Sequence, residues 1–194
     1  MTPTITELEQ LLMGPGFNCM RMGEDVLSIK IPTKAYRNTK GKRHVDVCVR
    51  FDSQHNCLVM ESHWAFDTSK TAHKQAVLDC VLGAAWLTPL IRPQHDPQHG
   101  EVKLRVDTLV GTEGISSDNV VRLLGTIPAF ADGWYPQITS ALHKGTYDLS
   151  KPCEISVRDH QLSEIARRVG GVNRLRALLA IQRRRRSDGG PSPN

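Results

Sequence analysis

Two histidines set four apart, His95 and His99, are the first residues in this chain whose spacing suggests metal chemistry. On a helix such a pair can aim both imidazoles at one ion. Here Pro97 lies between them, in His95-Asp96-Pro97-Gln98-His99, and proline disrupts the helix that would align them. No cysteine stands nearby at zinc-finger spacing, so a solvated turn is expected, and the same holds for His55 beside Cys57 and for His63 on its strand. Cys19, Cys48, Cys57, Cys80 and Cys153 include no CxxC pair and no local Cys-His signature that would lower a thiol pKa. They read as reduced structural thiols. A glycine-rich phosphate loop and a GxSxG nucleophile turn are both absent, and Gly111-Thr112-Glu113-Gly114 is a turn that lacks the phosphate-binding lysine. The expectation is a non-enzymatic protein with no catalytic residue, no metal and no cofactor.

Positive charge offers the other chemistry. The stretch from Lys34 to Arg43 carries Lys34, Arg37, Lys40, Lys42 and Arg43 around one aromatic residue, Tyr36. Such a loop could track phosphates, or it could be a solvated connection that keeps a sheet edge unpaired. A sharper feature is Arg183-Arg184-Arg185-Arg186, which follows Arg167, Arg168, Arg174 and Arg176. Four consecutive arginines reach toward nucleic acid or anionic lipid, or else they end a helix whose negative pole suits cations. Residues 158–194 hold nine arginines against three acids, for +6, whereas residues 1–157 hold 16 basic and 17 acidic residues, for −1. The basic character therefore resides in the C-terminal extension. Candidate polyanion contacts are Arg183, Arg184, Arg185 and Arg186, with Lys40, Lys42 and Arg43.

The elements that must position these residues follow from periodicity. Thr4-Ile5-Thr6-Glu7 fits a capping box, so a helix with Leu8, Leu11 and Leu12 on one stripe should start there and stop at Gly14-Pro15-Gly16. Alternation predicts strands at Leu27–Ile31, Val45–Phe51 and Cys57–Phe66, the last with Leu58, Met60, Trp64 and Phe66 on one side. From Ser69 or Thr71 to Ile91 a long helix is expected, apolar nearly all round through Val77, Leu78, Val81, Leu82, Trp86 and Leu87. A helix of that kind cannot leave a whole side in water, so the fold or a second subunit must cover it. Gly83, Ala84, Trp86 and Leu87 are the candidate dimer or partner surface. The turn-rich stretch from Arg92 to Gly100 should end the helix, and Val102, Leu104 and Val106 mark a fourth strand. Ser116-Ser117-Asp118 offers a cap for a helix that Pro128 should break or bend, with a further helix from about Trp134 to Leu142.

Beyond a connector at Lys151 to Arg158, two helical pieces flank Gly170-Gly171, one with Ile165, Ala166 and Val169 and one with Leu175, Leu178, Leu179 and Ile181. The first piece and its turn are weakly similar to the start of a helix-turn-helix, but the extra glycine shifts the register and Arg176 falls where an apolar residue is usual. Residues 187–194, rich in Gly, Pro and Ser, should be disordered.

Four stretches carry a family resemblance: Ala76-Val77-Leu78 through Trp86-Leu87, Gly100 to Val106, Asn119 to Leu124, and Ala131-Asp132-Gly133-Trp134-Tyr135-Pro136-Gln137-Ile138. Over about residues 4–144 the chain resembles the YbjN-like family, which is similar in fold to type III secretion chaperones. The resemblance implies a non-catalytic regulator and, through the chaperones, a homodimer that holds partner segments. It supplies no catalytic residue, and the arginine-rich extension lies outside it.

The expected architecture is α+β, a two-layer α-β-β-β-α-β-α arrangement with a mainly antiparallel sheet and a short helical C-terminal tail. Residues 1–150 would form the domain, 151–186 a basic helical extension, and 187–194 a disordered tail. The N-terminus has no basic region followed by an apolar block, and the near-apolar run from Ala76 to Ile91 is too short to span a bilayer, so a cytoplasmic protein is expected. Its function would be protein binding or chaperone-like regulation, with a protein partner or a second copy of itself. The alternative is a nucleic-acid-associated regulator that uses the arginine-rich extension for weak binding.

Overall fold

Apolar alternation builds the sheet. The computed structural model describes residues 4–112 and 114–150, and the basic extension with its helical pieces and Arg183 to Arg186 lies outside the described residues. Helix α1 (Ile5–Met13) is followed by strands β1 (Cys19–Arg21), β2 (Val26–Pro32), β3 (His44–Asp52) and β4 (Cys57–Asp67), then α2 (Lys74–Leu87), β5 (Arg92–His95), β6 (Glu101–Leu109), α3 (Ser117–Leu124) and α4 (Thr126–Lys144). The six strands lie in the order β1-β2-β3-β4-β6-β5, and each neighbouring pair is antiparallel. The fold is α+β, with the helices packed against this antiparallel sheet.

Period two turns Leu27, Ile29, Val45, Val47, Val49, Leu58, Met60, Val102, Leu104 and Val106 to one face, where each is buried. The same core takes Leu8 and Leu12 of α1, Val77, Cys80, Val81 and Ala84 of α2, Val120, Leu123 and Leu124 of α3, and Ile127, Phe130, Trp134 and Ile138 of α4. Both reciprocal bonds of the Thr4/Glu7 capping box are present, and Ser116 caps α3 by accepting from the Asn119 amide.

The structure corrects the expected elements in four places. Two edge strands were missing from the pattern. β1 has only three residues, too few for alternation to register, and β5 contains Pro93, which an edge strand tolerates because one side of its backbone needs no partner. Helix α2 is shorter than expected; it starts after the Thr71 hydroxyl has accepted from the His73 amide and stops before Pro89. The chain breaks at Gly125 rather than at Pro128, which is the third residue of α4, where its missing amide would have had no helical partner. Finally, Trp64 does not line up with Leu58, Met60 and Phe66. The β4–β6 register shifts between Ser62 and Phe66, and Trp64 sits at φ +52° with its side chain turned outward.

Candidate functional site

Helix α2 crosses the core with four residues inside and an apolar strip outside. Val77, Cys80, Val81 and Ala84 face the core, because α4 and β5 pack against that side. The sequence KQAVLDCVLGAAWL has more apolar residues than one face accommodates, so Leu82, Trp86 and Leu87 point into solvent, with Leu90 just past the helix end. Trp86 is 90% exposed and Leu82 60% exposed. Leu90, itself exposed, holds φ +73° in the turn after Pro89, an unfavourable conformation for leucine. Anchoring at this end comes from the Trp134 indole, which donates to the Thr88 hydroxyl at 3.0 Å.

The predicted surface residues divide between the two sides. Trp86 and Leu87 are on the open strip, whereas Ala84 is fully buried in the core. Gly83 is half-buried, and Leu149 from the end of the described chain occupies the space where a side chain at that position would stand. A side chain there would displace the end of the Leu149 side chain, so glycine lets the two lie close together. Leu82 and Leu90 belong to the strip although the sequence reading did not place them there; Leu82 follows from the four-residue spacing to Trp86.

The basic loop is built differently from a phosphate-tracking strand. Asp132, buried on α4, accepts from the amides of Lys34, Ala35 and Tyr36 at 2.7–3.1 Å. The Tyr36 ring packs edge-on against Phe66 and Tyr135, and its hydroxyl donates to the Ala65 carbonyl at 2.7 Å. Burial pushes the Tyr36 phenol well above its ordinary pKa. At 1% exposure this ring cannot stack on a base. Lys40, Lys42 and Arg43 are exposed farther along the loop, where Asn38 accepts from the Lys40 and Lys42 amides. Sequence reading missed Asp132 as an anchor, since nothing local marks a carboxylate that binds amides nearly a hundred residues away.

The sheet face opposite the core carries charge. Arg50, Glu61, Lys103, Arg105 and Asp107 share it, and Arg92 of β5 reaches Asp107 at 3.0 Å. At the β4 irregularity His63 stands between two carboxylates, with Nε2 3.3 Å from Glu61 and Nδ1 3.2 Å from Glu101. The hydrogen bond to Glu61 raises the His63 pKa, opposed by burial and by Lys103, while that bond lowers the Glu61 pKa.

Linkage sets the pH window. A raised His63 stabilises the fold fully below its unfolded value and loses that contribution as pH rises through the folded value. A lowered Glu61 stabilises above its unfolded value and loses it as pH falls through the folded one. The pair should therefore contribute most between about 4.3 and about 6.5, the ordinary glutamate and histidine values. His63→Gln is expected to lower the urea midpoint most in that window and progressively less above neutral pH. A pH-independent difference would rule this out.

His99 pairs with Asp96 at 2.6 Å in an exposed turn while His95 lies on β5, and among the described residues no cluster of three metal-ligating side chains forms. Burial raises the pKa of Cys19, Cys48 and Cys57, and pushes the Cys80 thiol up to about 11. These thiols stay protonated near neutral pH. No described helix is long and apolar enough to cross a membrane.

No family model matches the chain, and no curated protein matches it. Among solved structures it is similar to YbjN, a candidate transcription regulator from E. coli, with 11% identity and a TM-score of 0.49 over 74% of this chain and 95% of that one.

Proposed function

We propose that this chain is a non-enzymatic, protein-binding regulator that docks a second copy of itself through the apolar end of α2. The observation that supports this reading is the strip of Leu82, Trp86, Leu87 and Leu90, with Trp86 almost fully in water. Contiguous apolar exposure of this kind marks interaction surfaces. Dimerisation through a sheet edge is disfavoured, because β1 has three residues and β5 has four with Pro93 among them. A twofold pairing of α2 ends uses each strip twice. Burying one Trp removes about 200 Å² from water, roughly 5 kcal/mol at about 25 cal/mol per Å². Association costs on the order of 4–15 kcal/mol, so one Trp is marginal, while two with their leucines support a micromolar complex.

Sedimentation of the full chain from micromolar to hundreds of micromolar tests this. Wild type should self-associate, and a Leu82→Glu, Trp86→Glu double variant should remain a monomer; at concentrations below the dimer range its unfolding midpoint should match that of wild type, since both side chains are exposed. A wild-type monomer throughout, or a variant that still dimerises, would count against α2 as the interface.

Nucleic-acid association through Arg183 to Arg186 is the second reading. The arginine run supports it, whereas burial of Tyr36 takes away the loop's one aromatic platform.

A further inference from the structure

The docking reading leaves open what lies over the α2 strip when no second copy is bound. We infer that the C-terminal extension of the same chain covers it, through Leu175, Leu178 and Leu179, and so competes with self-association. This inference rests on the docking reading and names the regulation of that site.

The path of the chain carries the argument. After α4 the backbone turns at Gly145, in the left-handed region at φ +69°, and returns toward α2. Leu149 then seats itself on Gly83, toward the C-terminal end of the helix. Trp86 and Leu87 are three and four residues farther along, the spacings that place side chains next to one another on a helix. The chain thus leaves the described domain at Ser150 on the very side of α2 where the apolar strip is open. Asp148 helps hold this exit, its amide donating to Gln137 of α4 at 2.8 Å.

Length and composition suit the occupant. Forty-four residues follow Ser150, and Leu175, Leu178 and Leu179 show the i, i+3, i+4 apolar spacing of a helix face. For a random-coil chain of about 25 residues the root-mean-square span is about 25–30 Å. The strip from Gly83 to Leu90 extends only about 10 Å along the helix. Reach is therefore no obstacle. Tethering gives an effective concentration near the millimolar range, well above a free second copy at micromolar levels.

The test uses the full chain. Leu175→Gln, Leu178→Gln and Leu179→Gln together remove the apolar face without altering charge. Trp86 is read by the fluorescence difference between each chain and its Trp86→Phe counterpart, at protein concentrations below the dimer range. With the wild-type extension, Trp86 should be shielded from acrylamide; in the triple variant its emission should move to the red and its quenching should rise. Self-association of the triple variant should tighten at least tenfold, the advantage expected from removing a tethered competitor. Equal quenching in both chains, whether open or shielded, overturns the inference. If the triple variant frees Trp86 yet does not self-associate at any concentration, the extension covers the strip and the docking reading is what fails.

Discussion

Asp132→Ala is expected to destabilise the domain by roughly 3 kcal/mol or more, because each buried donor left unsatisfied costs about 1–3 kcal/mol. The carboxylate receives the amides of Lys34, Ala35 and Tyr36, the last at 2.7 Å. Alanine leaves all three amides in a site too enclosed for bulk water to replace an oxygen fully. The effect should spread. Those amides fix the turn that brings Tyr36 under Phe66 and Tyr135 and lets its hydroxyl reach Ala65. Asp132→Asn keeps the shape and one acceptor but places an amide donor opposite amide donors, so an intermediate loss is expected. For a domain of this size a loss of 3 kcal/mol lowers Tm by roughly 10 °C. Thermal and urea unfolding should agree on the ranking wild type, Asn, Ala. An alanine variant within about 1 kcal/mol of wild type would show that the loop is held by its other contacts, such as the Thr33 hydroxyl donating to the Tyr36 carbonyl.

The second large effect concerns charge. If Arg183 to Arg186 bind polyanions, replacing all four with glutamine should abolish most binding to mixed-sequence DNA or RNA at low salt. Arginine presents a planar fork to phosphate oxygens and keeps its charge at neutral pH, so the interaction needs no specific sequence. Counterion release makes a quantitative demand. Four phosphate contacts contribute about 3.6 to the slope of log affinity against log salt on duplex DNA, and that part should vanish with the arginines. Replacing Lys40, Lys42 and Arg43 should change binding much less, since they belong to residues 1–157, which sum to −1. Wild-type protein that binds no polyanion at low salt removes the nucleic-acid reading altogether. A slope that survives the substitution would move the contact elsewhere, with the loop as the next surface to test.

Charge and dimerisation are separable by salt. A contact between apolar strips should change little with ionic strength, whereas phosphate binding falls steeply. The same titration therefore assigns any observed complex to α2 or to the arginine run.

Sequence by itself determined the elements whose signals are local. Alternation of Val45, Val47 and Val49 required a strand with one dry face, and the Thr4/Glu7 box required a helix start, because both depend on residues within a few positions of each other. The excess of apolar residues on α2 was also legible, as was the concentration of arginine from residue 158 onward. Tertiary structure decided which side of α2 stays open. Ala84 and Trp86 are equally apolar to a periodicity count, yet packing of α4 and β5 buries the first and leaves the second in water. Only the fold could bring Leu149 onto Gly83, set His63 between Glu61 and Glu101, or carry Asp132 to amides near residue 35. Each of these joins residues far apart in the chain, and the cost of closing such loops is met only when the whole sheet and its helices assemble together.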